Sequence, residues 1–158
     1  MARETDLMNL MNRIESLEER VRFLSKLESG GRWIYLTTPL TSTSWDGDSY
    51  STTAKTKIDL SAVFGVPADV IAVVVRVAAR DSGSRANTGV FFGVSGNNIT
   101  GDARDLALVA RPGGKENDSY DEAYGPVPCD ESGDIYYLCA ASGSGTMDVY
   151  LQVYGYWI

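Results

Sequence analysis

The chain has 158 residues, a formal charge of −7 and no histidine. An acidic chain with no basic stripe is poorly suited to nucleic acid or to an anionic membrane, because both need Lys and Arg to meet their phosphates. Without histidine, Ser–His and Cys–His nucleophile systems are excluded, and the length suits one compact domain plus an appendage.

Residues 1–29 read as a coiled-coil stalk. Leu7, Leu10, Ile14, Leu17, Val21 and Leu24 are spaced 3-4-3-4-3, which puts one apolar stripe on a helix that must find partner helices. With Leu7, Ile14 and Val21 at a and Leu10, Leu17 and Leu24 at d, the β-branched a residues lean toward a parallel dimer. Arg13-Ile14-Glu15-Ser16-Leu17-Glu18 resembles the trimerisation motif of short coiled coils, with Arg at g and Glu at e. That resemblance implies that the Arg13 stem packs over the seam and its guanidinium meets Glu18 of a neighbouring chain. A trimer is the favoured reading. The alternative, a helix folded back on its own domain, calls for a broader apolar face. The seam is short, so the rest of the chain must supply much of the assembly energy. Met1, Met8 and Met11 lie off the stripe and are candidates for docking onto another protein, against incidental exposure. Ser29-Gly30-Gly31 ends the helix, and residues 30–32 form a glycine hinge.

Residues 33–158 are rich in Gly, Ser, Thr, Val and Tyr and carry strand periodicity. Strands are expected over Trp33–Thr38, Lys57–Leu60, Val70–Arg80, Gly89–Val94, Asp105–Ala110, Asp134–Ala141 and Thr146–Trp157. Polar loops are expected over Pro39–Thr53 and Arg111–Gly125. Ser142-Gly143-Ser144-Gly145 reads as the turn of a closing hairpin. In the strongest strand Ile71, Val73, Val75 and Val77 share the core face. In the last strand Met147, Val149, Leu151, Val153 and Trp157 share one face, and Tyr150, Gln152, Tyr154, Tyr156 and Ile158 share the other. The expected fold is mainly β, an antiparallel jelly-roll-like sandwich preceded by the helical coiled coil.

No catalytic constellation emerges, and no cofactor or metal is expected. Asp46 with Asp48, or Asp118 with Asp121 and Glu122, could serve as the carboxylate pair of a glycan hydrolase, but acidic loop residues are ordinarily turn formers. Asp46-Gly47-Asp48 supplies too few oxygens for a calcium site by itself. Gly113-Gly114-Lys115 lacks the upstream glycine of a phosphate loop. Cys129 and Cys139 lack metal-ligand spacing and are read as buried thiols, with a cross-strand disulfide as the alternative. Trp45, Tyr150, Tyr154 and Tyr156 are candidates either for a subunit interface or for stacking on a glycan. The N-terminal residues lack the apolar core of a signal peptide, and no run is long enough for a membrane span, so manufacture in a host cytoplasm is expected.

Asp46 to Ala54, Ile58 to Pro67 and Gly143 to Trp157 resemble small structural proteins of tailed bacteriophages. The resemblance implies a non-enzymatic homotrimer on the outer surface of a virion. The favoured role is a cement or decoration knob bound to the major capsid protein. The alternatives are a tail-fibre or needle knob that contacts tail proteins and a host-surface glycan, and, further off, a glycan hydrolase.

Overall fold

The computed structural model describes residues 31–42, 54–99 and 103–158, together with the helical positions Met11, Arg13, Ile14, Leu17, Glu18, Arg20 and Val21. The expectations placed on Met1, Leu7, Met8, Leu10, Leu24, Trp45, Asp46 and Asp48 lie outside the described residues.

Eight strands are present among the described residues: β1 (Trp33–Leu40), β2 (Thr56–Ile58), β3 (Ala72–Asp81), β4 (Phe91–Ser95), β5 (Leu108–Ala110), β6 (Tyr120–Pro128), β7 (Ile135–Ala140) and β8 (Met147–Trp157). They form two antiparallel four-stranded sheets. The first has the order β1-β8-β3-β6 and the second β2-β7-β4-β5. One core joins them, with Val73, Val75, Val77, Leu151 and Val153 from the first sheet and Phe92, Val94, Ile135 and Tyr137 from the second.

The inward faces follow the period-two arithmetic of a pleated strand. In β3, Val73, Val75, Val77 and Ala79 are fully buried, while Arg76 and Arg80 lie on the opposite face. Val74 and Ala78 also lie on that outer face and are nevertheless buried, Ala78 between the larger Glu122 and Tyr150.

Four expectations are corrected. The segment Lys57–Leu60 is not one strand, because β2 stops at Ile58 and a short helix, α1 (Leu60–Phe64), follows. Asp59 caps α1 by accepting a hydrogen bond from the Ala62 N–H at 2.9 Å. Gly65 ends it in the left-handed region at φ 70°. Leu60 and Phe64, one helical turn apart, are its buried pair.

The polar loop expected over Arg111–Gly125 gives way to β6, which pairs with β3 from Tyr120 to Pro128. Pro126 and Pro128 masked it in the sequence. They are tolerated because β6 is the last strand of its sheet.

Ser142–Gly145 does not close a hairpin, since β7 belongs to the second sheet and β8 to the first. The turn instead carries the chain across the core, and Asp81 at the end of β3 anchors it. The Asp81 carboxylate accepts hydrogen bonds from Gly83 N (2.8 Å), Ser142 N (3.0 Å), Thr146 Oγ1 (2.9 Å) and Ser142 Oγ.

The last strand does not keep one parity. Val75 pairs with Val153, but Val74 pairs with Gly155, which leaves Tyr154 as an extra residue. This β-bulge swaps the faces beyond it. Tyr156 turns inward and packs against the core. Trp157 turns outward, opposite Trp33 and Ala72.

Burial alone would raise the pKa of Asp81, but the hydrogen bonds from Ser142, Gly83 and Thr146 outweigh it and hold the carboxyl below its ordinary value. A depressed carboxylate stabilises the fold fully above its unfolded pKa, and that contribution is lost as pH falls through the folded value. Asp81→Ala is therefore expected to cost about 3 kcal/mol at neutral pH. Urea unfolding should show the gap from wild type narrowing in strong acid.

Candidate functional site

Alternation in β6 places Tyr120, Glu122 and Tyr124 on the outer face of the first sheet, and alternation in β8 places Asp148, Tyr150 and Gln152 there. β3 runs between them and contributes Arg76 and Arg80. The register brings Tyr120 and Asp148 opposite Arg80, and Tyr124 and Gln152 opposite Arg76.

The tyrosines meet across β3 in two pairs. The Tyr120 and Tyr150 rings are 6.3 Å apart, and the Tyr124 and Tyr154 rings are 5.3 Å apart and edge-to-face. Such offset geometries suit the negative face and positive edge of an aromatic ring. The Arg80 guanidinium lies 5.5 Å from the centre of the Tyr120 ring. A hydrogen bond with Tyr120 raises the pKa of Tyr150. The Tyr154 hydroxyl donates to Gln152 Oε1 at 3.4 Å.

The charges are paired within the face. Arg76 donates from Nε and Nη2 to Glu122 Oε2 at 2.9 and 2.5 Å, and from Nη1 to Gln152 Oε1 at 2.9 Å. Arg80 donates from Nε to Asp148 Oδ2 at 2.7 Å and again from Nη2. These side chains are 30% to 61% exposed, so each pair adds only about 0–1 kcal/mol to stability. Their effect is to neutralise and orient.

At the β1 end the same face continues with Trp33, Tyr35 and Trp157. The Trp33 ring lies 5.4 Å from Tyr35 and 5.9 Å from Trp157. The result is a band of aromatic rings across the sheet.

No family model matches the chain, and none of the curated proteins matches it.

Of the aromatic candidates read from sequence, the structure brings Tyr150 and Tyr154 together and removes Tyr156 to the core side. Sequence reasoning missed Tyr120, Tyr124, Arg76 and Arg80 as members of the site. The available signal was the alternation Tyr120-x-Glu122-x-Tyr124, which the neighbouring glycine and prolines obscured.

Ile14, Leu17 and Val21 are helical and 44%, 56% and 60% exposed, and Met11 is also exposed. Arg13 and Glu18 are exposed with them.

Asp121 and Glu122 are neighbours on β6 and point to opposite faces of the strand. Asp121 accepts from the Arg111 N–H at 2.6 Å and binds Lys115, while Glu122 binds Arg76. Among the described residues, no group of acidic or cysteine side chains could hold a metal ion, and no helix is long and apolar enough to cross a membrane. Cys129 and Cys139 are buried and form no disulfide, and burial pushes their thiols up to about 12 and about 11.

A cleft of about 610 Å³ lies where Arg20 approaches Asn97, Asn98, Asp130, Glu131 and Tyr136. Its central acceptors are committed to the turn itself. Asp130 accepts from Ser132 N, Asp134 N and the Tyr136 hydroxyl, and Asn97 Oδ1 accepts from Lys55 and Ile99 N. The aromatic face is the stronger candidate.

The bulge separates the C-terminal tyrosines by role. Tyr156→Ala should cost about 2–3 kcal/mol in urea unfolding, as expected for an aromatic ring removed from the edge of a core. Tyr150→Ala, at an exposed position, should cost about 1 kcal/mol or less.

Proposed function

We propose that the protein is a non-enzymatic, homotrimeric structural protein of a tailed-bacteriophage particle, a jelly-roll knob on a short coiled-coil stalk, seated on the outer capsid as a cement or decoration protein. The observation that carries the assembly is the exposure of Ile14, Leu17 and Val21 on a helix. A seam of apolar residues spaced for a coiled coil stands uncovered on the single chain, and like helices would cover it. Arg13 and Glu18, also exposed, are where the trimer motif would place its interchain ion pair.

The strand orders β1-β8-β3-β6 and β2-β7-β4-β5 support the jelly roll. Successive strands alternate between the sheets except for β4 and β5, which pair with each other, as when a long antiparallel ribbon is wrapped around a core. The place on a virion is supported by the resemblance of Asp46 to Ala54, Ile58 to Pro67 and Gly143 to Trp157 to phage structural proteins. The non-enzymatic reading is supported by the lack of histidine and by the engagement of Asp121 and Glu122 in ion pairs.

A shell-bound trimer multiplies a weak contact by three-fold attachment. Met11, exposed and off the seam, is a contact to the shell that the described residues offer. The fibre-knob reading draws its support from the aromatic face instead.

Sedimentation of the full chain should give three times the 17.1 kDa protomer mass. Leu17→Glu, which puts three like charges into one layer of the seam, should yield monomers that keep the β spectrum of the knob. Wild type should bind saturably to capsids lacking it, and the Leu17→Glu monomer should bind far more weakly. A wild-type monomer would overturn the trimer. Binding to host cells but not to capsids would shift the function to a fibre knob.

A further inference from the structure

We propose that the outer face of β6, β3 and β8 is a binding platform for a neutral oligosaccharide. The proposal goes beyond the shell-bound reading and does not rest on it, since a knob on a capsid or on a fibre could present the same face.

A sugar ring is apolar on the faces where its C–H bonds point and polar around its rim. Those C–H bonds carry slight positive charge, which suits the negative face of an aromatic ring. The pairs Tyr120–Tyr150 and Tyr124–Tyr154 supply two aromatic stations. Tyr120 and Tyr124 are four residues apart, about 13 Å along a strand. That span takes a chain of sugar rings rather than a single one. Acceptors for hydroxyls sit between the stations, at Glu122, and beside the first of them, at Asp148. The arginine bonds fall on Glu122 Oε2 and Asp148 Oδ2, leaving Glu122 Oε1 and Asp148 Oδ1 for a ligand.

Charge selects the class of ligand. Two arginines, Arg76 and Arg80, balance two carboxylates, Glu122 and Asp148, so these four side chains sum to zero on a chain of −7. The face favours neither a polyanion nor a polycation. A neutral, hydroxyl-rich ligand can replace the water on these ion pairs by hydrogen bonding to them.

A second copy fits less well. Protein interfaces are depleted of Glu and Asp, whereas here Glu122 and Asp148 are held on the patch by ion pairs to Arg76 and Arg80. Burying their pairs under a protein surface carries a desolvation cost that hydroxyls avoid. The exposed large hydrophobics of β3, β6 and β8 are all aromatic, namely Tyr120, Tyr124, Tyr150 and Trp157. The rings are also held against one another, so little order has to be gained on binding.

The test is calorimetric titration of the full-length protein with neutral hexasaccharides of glucose, galactose, mannose and N-acetylglucosamine. The matching disaccharides and a sulfated hexasaccharide serve as comparisons. At least one neutral hexasaccharide should bind, more tightly than its disaccharide and than the sulfated probe. Tyr124→Ala and Tyr150→Ala should each weaken it about three- to tenfold, the loss of one stacked ring. Tyr124→Phe and Tyr150→Phe should keep most of the affinity. Both positions are exposed, so the variants should fold, and sedimentation should show wild-type assembly. Three results would overturn the platform: no binding of any neutral probe, preference for the sulfated probe, or affinity unchanged in both alanine variants. A fall in assembly mass in the alanine variants would reassign the face to contact between copies. Wild type that is monomeric but binds the sugar would remove the trimer and leave the platform standing.

Discussion

The structure depends on the two-residue repeat of β3. This strand sits inside the first sheet, paired along its length with β6 on one side and β8 on the other. Its inward valines are fully buried and tie the sheet to Phe92, Val94 and Tyr137 across the core. A slip of one residue would expose those valines and bury Arg76 and Arg80 without partners, which is prohibitive. The register of the core therefore also sets the register of the outer face. Tyr120, Tyr124, Tyr150 and Tyr154 meet across β3 because β3 holds both neighbouring strands in place. The candidate site is thus built on strands rather than on loops, and inherits their precision.

How much was legible follows from how local each signal is. The alternation of Val73, Val75 and Val77 is carried by β3 alone, and so it reads correctly from the sequence. The same holds for β8 up to Val153. Beyond that point parity depends on which residue of β8 meets Val74, a matter settled by a strand far away in the chain. Gly155, an isolated glycine inside the strand pattern, was the local sign of a bulge, and without it the faces of Tyr156 and Trp157 are read the wrong way round. β6 was hidden for a different reason. Its Gly125, Pro126 and Pro128 are loop residues by local preference, and only its place at the margin of a sheet makes them acceptable. Half of the aromatic face sits on that strand, so the site was half legible.

The crossing between β7 and β8 shows the same limit. A Ser-Gly-Ser-Gly turn between two strands has the local chemistry of a hairpin. Whether the strands pair or part is decided by what each one meets, and β7 meets β2 and β4 while β8 meets β1 and β3. Asp81 makes the crossing possible by gathering the N–H and hydroxyl groups of Ser142, Gly83 and Thr146 onto one carboxylate at the end of β3. The short helix α1 was within reach of the sequence. Asp59 as cap, Leu60 and Phe64 one turn apart and Gly65 as stop are all local, and five residues were simply outweighed by the strand pattern before them.

Among the described residues two exposed surfaces differ in kind, and the difference argues for different partners. The helical residues Ile14, Leu17 and Val21 are exposed and aliphatic, and in the proposed assembly an apolar stripe of the same spacing would cover them. The outer face of the first sheet exposes phenol rings around two ion pairs. Those pairs contribute little to stability at their exposure, so folding does not demand them there. An apolar cover would have to strip them of water for no electrostatic return, whereas a hydroxyl-rich cover keeps them hydrogen-bonded. In the proposed assembly the aliphatic seam would bring like chains together, and the aromatic, self-neutralised sheet would meet something that arrives hydrated.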